Sequence, residues 1–291
     1  MIVISSKFGQ LANRLFLFAH FIAFAIEHNL TIINPAFEEY AQFFEPTCTD
    51  LLCRYPINPS GFPIHQQMRR VVYELIRILG FGVNKAKIAN PLLAVLRLPE
   101  NQEYDLSSPE FLDFVTQKKV VFVRGWLFRD NSNFVKHADK IRDYFAPISV
   151  HRSRVKSLIS TVRQSCQVLI GVHIRQGDYA EFMDGKYFYE VDQYLHIMEK
   201  VEALFPSQKV GFLICSNVQQ NKEDFASFNA TFATHHLVED LYSLAQCDYI
   251  VGTVSTYTLW ASFYGEVPLY TIQDPDRSPT ITDFLAYGSE P

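Results

Sequence analysis

The chain has 291 residues, 48% of them hydrophobic and 20% charged, which is a globular composition with little room for long disorder. Its 26 basic and 31 acidic residues leave a net charge of −5, so no global field draws it to nucleic acid or acidic membranes, and any anion it binds is met locally. The five cysteines (48, 53, 166, 215, 247) form no C-x-x-C pair, which argues against a zinc ribbon or a thioredoxin-like site. They read as reduced thiols of a cytoplasmic protein, with Cys48 and Cys53 the one pair close enough to suggest a disulfide.

In chain order, Ile2-Val3-Ile4 predicts a buried strand, residues 5–12 a polar loop and 13–27 a helix. The apolar run 15–26 is shorter than the roughly 18 residues of a membrane span, is interrupted by His20 and has no small-residue cleavage site after it. It predicts a buried amphipathic helix, not a signal peptide or a membrane segment. A second strand is expected over 30–33. An irregular stretch with Pro35, Pro46, Pro56 and Pro59 follows, then a helix over 68–79, a strand over 120–123 and a helix over 131–144. Residues 147–168 read as a linker with an exposed, basic helix face.

The second half is cleaner. Strands are expected over 168–175, 210–215, 236–238, 248–251 and 267–272, and helices over 187–205, 221–228, 240–246 and 256–264. Strands alternating with helices imply parallel sheets covered on both faces and right-handed crossovers. Two αβ domains follow, residues 1–150 and 151–291, with a cleft between them.

Ligands of open α/β sheets bind at the carboxyl ends of strands. There, His173 and Arg175 stand two residues apart on one face of a strand. An arginine ending an apolar strand needs a partner, and its planar fork fits phosphate. On these residues alone, an anion site and an internal Arg–Asp pair beside a core histidine remain equal readings. Ser255 and Thr256 open a helix, where capping and anion binding use the same groups. Asp240 reads as the end of a strand, either holding a nucleoside or capping the next helix. Gly9 to Arg14 is neither GxGxxG nor a Walker loop. Asp274-Pro275-Asp276 has the DxD form that holds metal-bound nucleotides in some glycosyltransferases, but also the composition of an ordinary Pro turn. Otherwise no set with metal-ligand spacing is found.

Taken together, these segments resemble a known family. His173-Ile174-Arg175-Gln176-Gly177-Asp178-Tyr179 is similar to the HxRxGDY form of the bacterial α1,2-fucosyltransferases, glycosyltransferase family 11, within the α1,2/α1,6/protein O-fucosyltransferase superfamily. Asp240 through Thr256 resembles that superfamily's third motif, LxxLxxCDYIVG followed by a Ser/Thr pair, and Gly9 to Arg14 its opening segment. Gln176 stands where a second Arg is common, and Leu259 replaces the first Trp of a pair.

The resemblance implies two Rossmann-like domains facing across a cleft, the GT-B arrangement. The implied reaction is metal-independent, inverting transfer of L-fucose from GDP-β-L-fucose to a glycan hydroxyl, in α1,2 linkage. No cofactor beyond the donor substrate is expected. Arg175 and His173 would be catalytic. Asp240, Ser255, Thr256, Ala12, Asn13 and Asp178 would bind donor or substrate, with the acceptor on the N-terminal side. Asp178, Glu38 and Glu39 are candidate bases. The alternatives are a transferase of another nucleotide sugar, metal-dependent through Asp274 and Asp276, and a non-catalytic nucleotide- or glycan-binding protein. A bacterial, cytoplasmic setting is expected.

Overall fold

The computed structural model describes residues 1–58, 62, 64–85, 92–99 and 101–288, without the side chains of 83–85. Pro59 and Gly61, at the end of the predicted irregular stretch, lie outside the described residues. The chain divides into two compact units, Met1–Ile148 and Ser149–Pro291.

The first unit runs β1 (Ile2–Ile4), α1 (Leu11–His28), β2 (Ile32–Ile33), α2 (Glu45–Cys48), β3 (Arg54–Tyr55), α3 (Gln66–Lys85), β4 (Leu93–Arg97), β5 (Tyr104–Asp105), α4 (Pro109–Thr116), β6 (Val120–Arg124), β7 (Phe128–Arg129), α5 (Asn131–Lys136) and α6 (Ala138–Tyr144). Its main sheet has the order β3-β2-β1-β6-β4 and is parallel except for β3. Phe18 of α1 packs edge-on against Tyr144 and Phe145, with ring centroids 5.3 and 5.7 Å away.

α1 begins two residues earlier than expected. Leu11 and Ala12 are buried with Leu15 and Phe16, and that burial extends the helix although Gln10 gives no side-chain cap. β4, β5 and α4 were not expected. α4 had a local signal, since the Ser108 hydroxyl accepts from the Phe111 N–H and Pro109 opens the helix. The single helix predicted over 131–144 is two, broken at His137.

The second unit runs α7 (Ser149–Val162), β8 (Val168–Ile174), α8 (Val191–Glu202), β9 (Val210–Ser216), β10 (Ala230–Phe232), α9 (Leu237–Leu244), β11 (Tyr249–Thr253), α10 (Thr256–Gly265) and β12 (Leu269–Ile272). Its sheet is wholly parallel, in the order β10-β9-β8-β11-β12. The chain steps outward from β8 through β9 to β10, then crosses back to β11 beside β8. Strand order therefore reverses between β8 and β11, and the crevice outside their carboxyl ends is where such sheets take ligands.

Three expectations change here. The linker is the helix α7, whose basic residues other than His151 are exposed as expected, but it is also anchored, since His151 and Arg154 reach Glu239 of α9 and Arg163 reaches Asp248. The strand predicted over 236–238 is the start of α9, and the outer strand is the half-buried β10. The helix predicted over 221–228 shrinks to a 3-10 turn, Lys222–Phe225. All five cysteines are free, so the suggested Cys48–Cys53 disulfide is absent.

Candidate active site

β8 is buried along its whole length, and His173 near its end pairs with Cys215 of β9 and Gly252 of β11. A Cβ at residue 252 would stand 2.8 Å from the Thr258 methyl and 3.3 Å from His173. Glycine there lets α10 and β8 close on each other. The His173 imidazole stacks on the Tyr257 ring, centroids 4.8 Å apart. Burial, reinforced by the charge of Arg175, pushes the His173 pKa down to about 3, so the ring is neutral. Its Nδ1 is buried and makes no hydrogen bond, a state that costs free energy until a partner is supplied.

Arg175 follows the last strand residue. Its Nη2 donates to Asp178 Oδ2 at 2.7 Å, its plane lies over Tyr179 at 5.2 Å, and its Nε is buried without a partner. Asp178 is half-exposed and also accepts a long bond from Asn217. The turn needs Gly177, whose φ of +60° lies in the left-handed region. Both readings of the motif are thus partly realised, with an Arg–Asp pair present and a donor left over. The Tyr179 hydroxyl donates to the Val254 carbonyl and binds Ser255, joining this turn to the β11–α10 loop.

Ser255 caps α10 by accepting from the Tyr257 N–H at 3.2 Å. Capping uses the hydroxyl oxygen as an acceptor and leaves its O–H as a donor. Thr256 is the first residue of α10, so the helix start lies beside the strand end that carries His173. The Tyr257 hydroxyl donates to the Leu237 carbonyl, which ties α10 to α9.

Asp240 is placed differently from the expectation. It neither ends a strand nor caps a helix. It is the fourth residue of α9, and the cap is His236, whose Nδ1 accepts from Val238 and Glu239. The Asp240 carboxylate folds back to accept from the Thr234 N–H and hydroxyl, both at 3.0 Å. Burial raises its pKa despite these bonds.

Ala12 and Asn13 lie in the first turn of α1 rather than in a loop. Ala12 is buried, so only its backbone can meet a ligand. The nearby carboxylates are not free bases. Lys7 donates to Glu38 and Glu39, both at 2.7 Å, and Arg14 donates to Glu39 at 2.7 Å. Burial opposes ionisation of Glu39, but Lys7 and Arg14 outweigh it and hold its carboxyl below the usual range.

Asp274 and Asp276 form a turn, with Asp274 accepting from the Asp276 N–H, and belong to no three-ligand set among the described residues. One set that the sequence spacing does not show is His151, His236 and Glu239, whose ligand atoms lie within 4.8 Å of one another. Glu239 already takes Arg154 and Thr234, and His236 caps α9. A cation there would compete with a guanidinium for the same carboxylate. Tyr257 was not singled out in advance, and Tyr179 was read only as the last residue of the quoted motif. Both, like Asn217, are neutral and act by packing or by holding turns.

Residues 65–272 match the family described as Glycosyl transferase family 11. No curated protein sequence matches the chain. Among solved structures, a mutant of Arabidopsis thaliana FUT1 in complex with GDP is similar at a TM-score of 0.60 and 15% identity, over 98% of this chain and 73% of that one. The NodZ α-1,6-fucosyltransferase of Bradyrhizobium, soaked with GDP-fucose, gives 0.57 and 16%, over 93% and 94%. POFUT1 in complex with GDP gives 0.52 and 12%, over 96% of each chain. At these identities the likeness is one of fold, two Rossmann-like units of the GT-B class.

Proposed function

Since the chain belongs to glycosyl transferase family 11, we propose that it transfers L-fucose from GDP-β-L-fucose to a glycan hydroxyl, with inversion, in α1,2 linkage and without a metal. The observation that carries this reading is the end of β8. There a neutral, buried imidazole has an unpartnered Nδ1, and an arginine has an unpartnered Nε. Of the solved structures named above, FUT1 and POFUT1 are in complex with GDP, and NodZ was soaked with GDP-fucose.

In the proposed reaction the bond from the fucose anomeric carbon to the β-phosphate oxygen breaks, while the acceptor oxygen bonds the opposite face of that carbon. The acceptor proton goes to water or to a weak base. Negative charge grows on the departing diphosphate, and fixed donors aimed at that charge lower the barrier. Arg175 supplies such donors by sharing its fork between Asp178 and the phosphate. His173, whose pKa is pushed down to about 3 by burial and by Arg175, serves as a neutral hydrogen-bonding group. Thr256 and the start of α10 add dipoles of the same sign. Asp240 holds the nucleoside. The Ala12–Asn13 turn of the first unit contributes backbone N–H groups on the acceptor side. Free cysteines fit the proposed cytoplasmic setting.

The test is incubation with GDP-fucose and a panel of galactosides, with and without EDTA, and NMR of the product. The expected result is α-fucose on O2, with GDP released and no effect of chelator. Transfer from a different nucleotide sugar overturns the donor assignment. EDTA inhibition reversed by manganese moves the site toward Asp274 and Asp276. A melting temperature unmoved by every nucleotide tested favours a protein that does not bind them.

A further inference from the structure

Helix α3 carries two opposite faces, and among the described residues only one is packed. Arg69 and Tyr73 are buried, at 1% and 5% exposure, and Ile76 packs on the core of Val3, Ile33 and Phe122. The Arg69 guanidinium donates to the Thr47 and Cys48 carbonyls at 2.8 and 2.7 Å, which fixes the helix in place. On the far side, Met68, Val71, Leu75, Ile78 and Leu79 form one stripe at helical spacing. Each is between 55% and 62% exposed. The stripe runs on the order of 16 Å along the axis. Arg70, Glu74 and Arg77 lie along one flank, between the packed face and the stripe, with Arg70 and Arg77 exposed.

We propose that this face of α3 lies in the surface of an anionic lipid bilayer. A helix with a polar charged flank, a wide aliphatic face and low overall hydrophobicity fits the boundary between headgroups and acyl chains. The charge fits as well. The chain as a whole carries −5, yet the flank beside the stripe carries the exposed Arg70 and Arg77 against Glu74 alone. The stripe lacks the tryptophan, tyrosine and arginine anchors that concentrate energy at protein interfaces. It is an aliphatic strip and not a pocket. No described helix crosses a membrane, and lying in its surface needs no such length. The proposal does not depend on the reading of the second unit's site.

The test sediments the full chain with vesicles of phosphatidylcholine alone or mixed with phosphatidylglycerol. Wild type is expected in the pellet with the mixed vesicles, and less so at high salt. Leu75→Gln with Ile78→Gln should weaken partition about tenfold, as should Val71→Gln with Leu79→Gln as a second pair. Arg70→Gln and Arg77→Gln should each weaken it roughly fivefold. All these side chains are exposed, so melting temperatures should stay at the wild-type value. Wild type remaining in the supernatant overturns the proposal, and so do both glutamine pairs pelleting like wild type. Light scattering that shows a dimer, broken by either pair, also overturns it and assigns the face to a second copy of the chain.

Discussion

Two arginines stand near the carboxyl ends of strands, one in each unit, and their surroundings differ. Arg14 of the first unit is held by protein through all of its guanidinium nitrogens. Its Nε and Nη2 donate to the Gly9 carbonyl, and its Nη1 to the Ala36 carbonyl and to Glu39. Arg175 of the second unit has one ion pair, to a half-exposed aspartate, and a buried Nε with no partner. Beside it the His173 Nδ1 is equally unpaired. A cation with every guanidinium nitrogen bonded to protein braces the fold. A cation with a buried donor in reserve fits the anion-binding role proposed for Arg175.

The largest test of this contrast is Arg175→Ala. It should lower kcat/KM by about a hundredfold or more, close to 3 kcal/mol, with little change in melting temperature. Arg175→Lys should lose most of the activity too, because it keeps the charge without the fork. A sharply lowered melting temperature with activity retained would make Arg175 a brace like Arg14.

Lys7→Met tests the opposite side. It strips a cation from Glu38, whose side chain is only 3% exposed and then keeps Gln66 alone. The expected cost is about 3 kcal/mol of stability, or roughly 8 °C in melting temperature. The donor KM should stay at its wild-type value.

Asp240→Asn keeps an acceptor for Thr234, so the fold should hold. If the carboxylate meets the nucleoside, the donor KM rises about tenfold while the acceptor KM does not. Equal kinetics would leave Asp240 as the residue that fastens the Thr234 loop.

The buried histidines give a smaller, pH-dependent effect. His173 titrates near 3 when folded and near its ordinary 6.5 when unfolded. Between those values the unfolded chain binds the extra proton, so stability is full above 6.5 and falls as the pH drops toward 3. His20 in the first unit, held near 3 by burial and by Arg129, acts in the same sense. Urea unfolding of His173→Gln should show about 1 kcal/mol less loss than wild type between about pH 6 and pH 5. The smallest effect is expected for Glu39→Gln. Its side chain is 43% exposed, and the change should cost about 0.5 kcal/mol by urea midpoint.

The second unit was the more legible one. β8, β9, β11 and β12 are apolar runs bounded by polar turns, and period and length identify them without tertiary help. The first unit hid more. β4 is half-buried along most of its length, and its identity depends on pairing with β6. α5 and α6 share one apolar period, so their break at His137 left no mark in the pattern. In the site, His173 and Arg175 stood out because charge at the end of an apolar strand is costly. Asp240 was misplaced because His236, an uncommon cap, starts α9 where a β pattern of Leu and Val was read.

The sequence alone therefore determined the alternation of strands and helices, two αβ units, the strand end that carries His173 and Arg175, and a family resemblance strong enough to suggest a chemistry. These depend on local periodicity and on residue types, and both are written in the order of the chain. Only the tertiary structure decided which charges are already spent. Glu38 and Glu39 meet Lys7 some thirty residues away, and Glu239 meets His151 and Arg154 across more than eighty. Whether a buried cation or imidazole keeps a donor for a ligand depends on such distant partners and on the desolvation that burial imposes, and no local pattern encodes either.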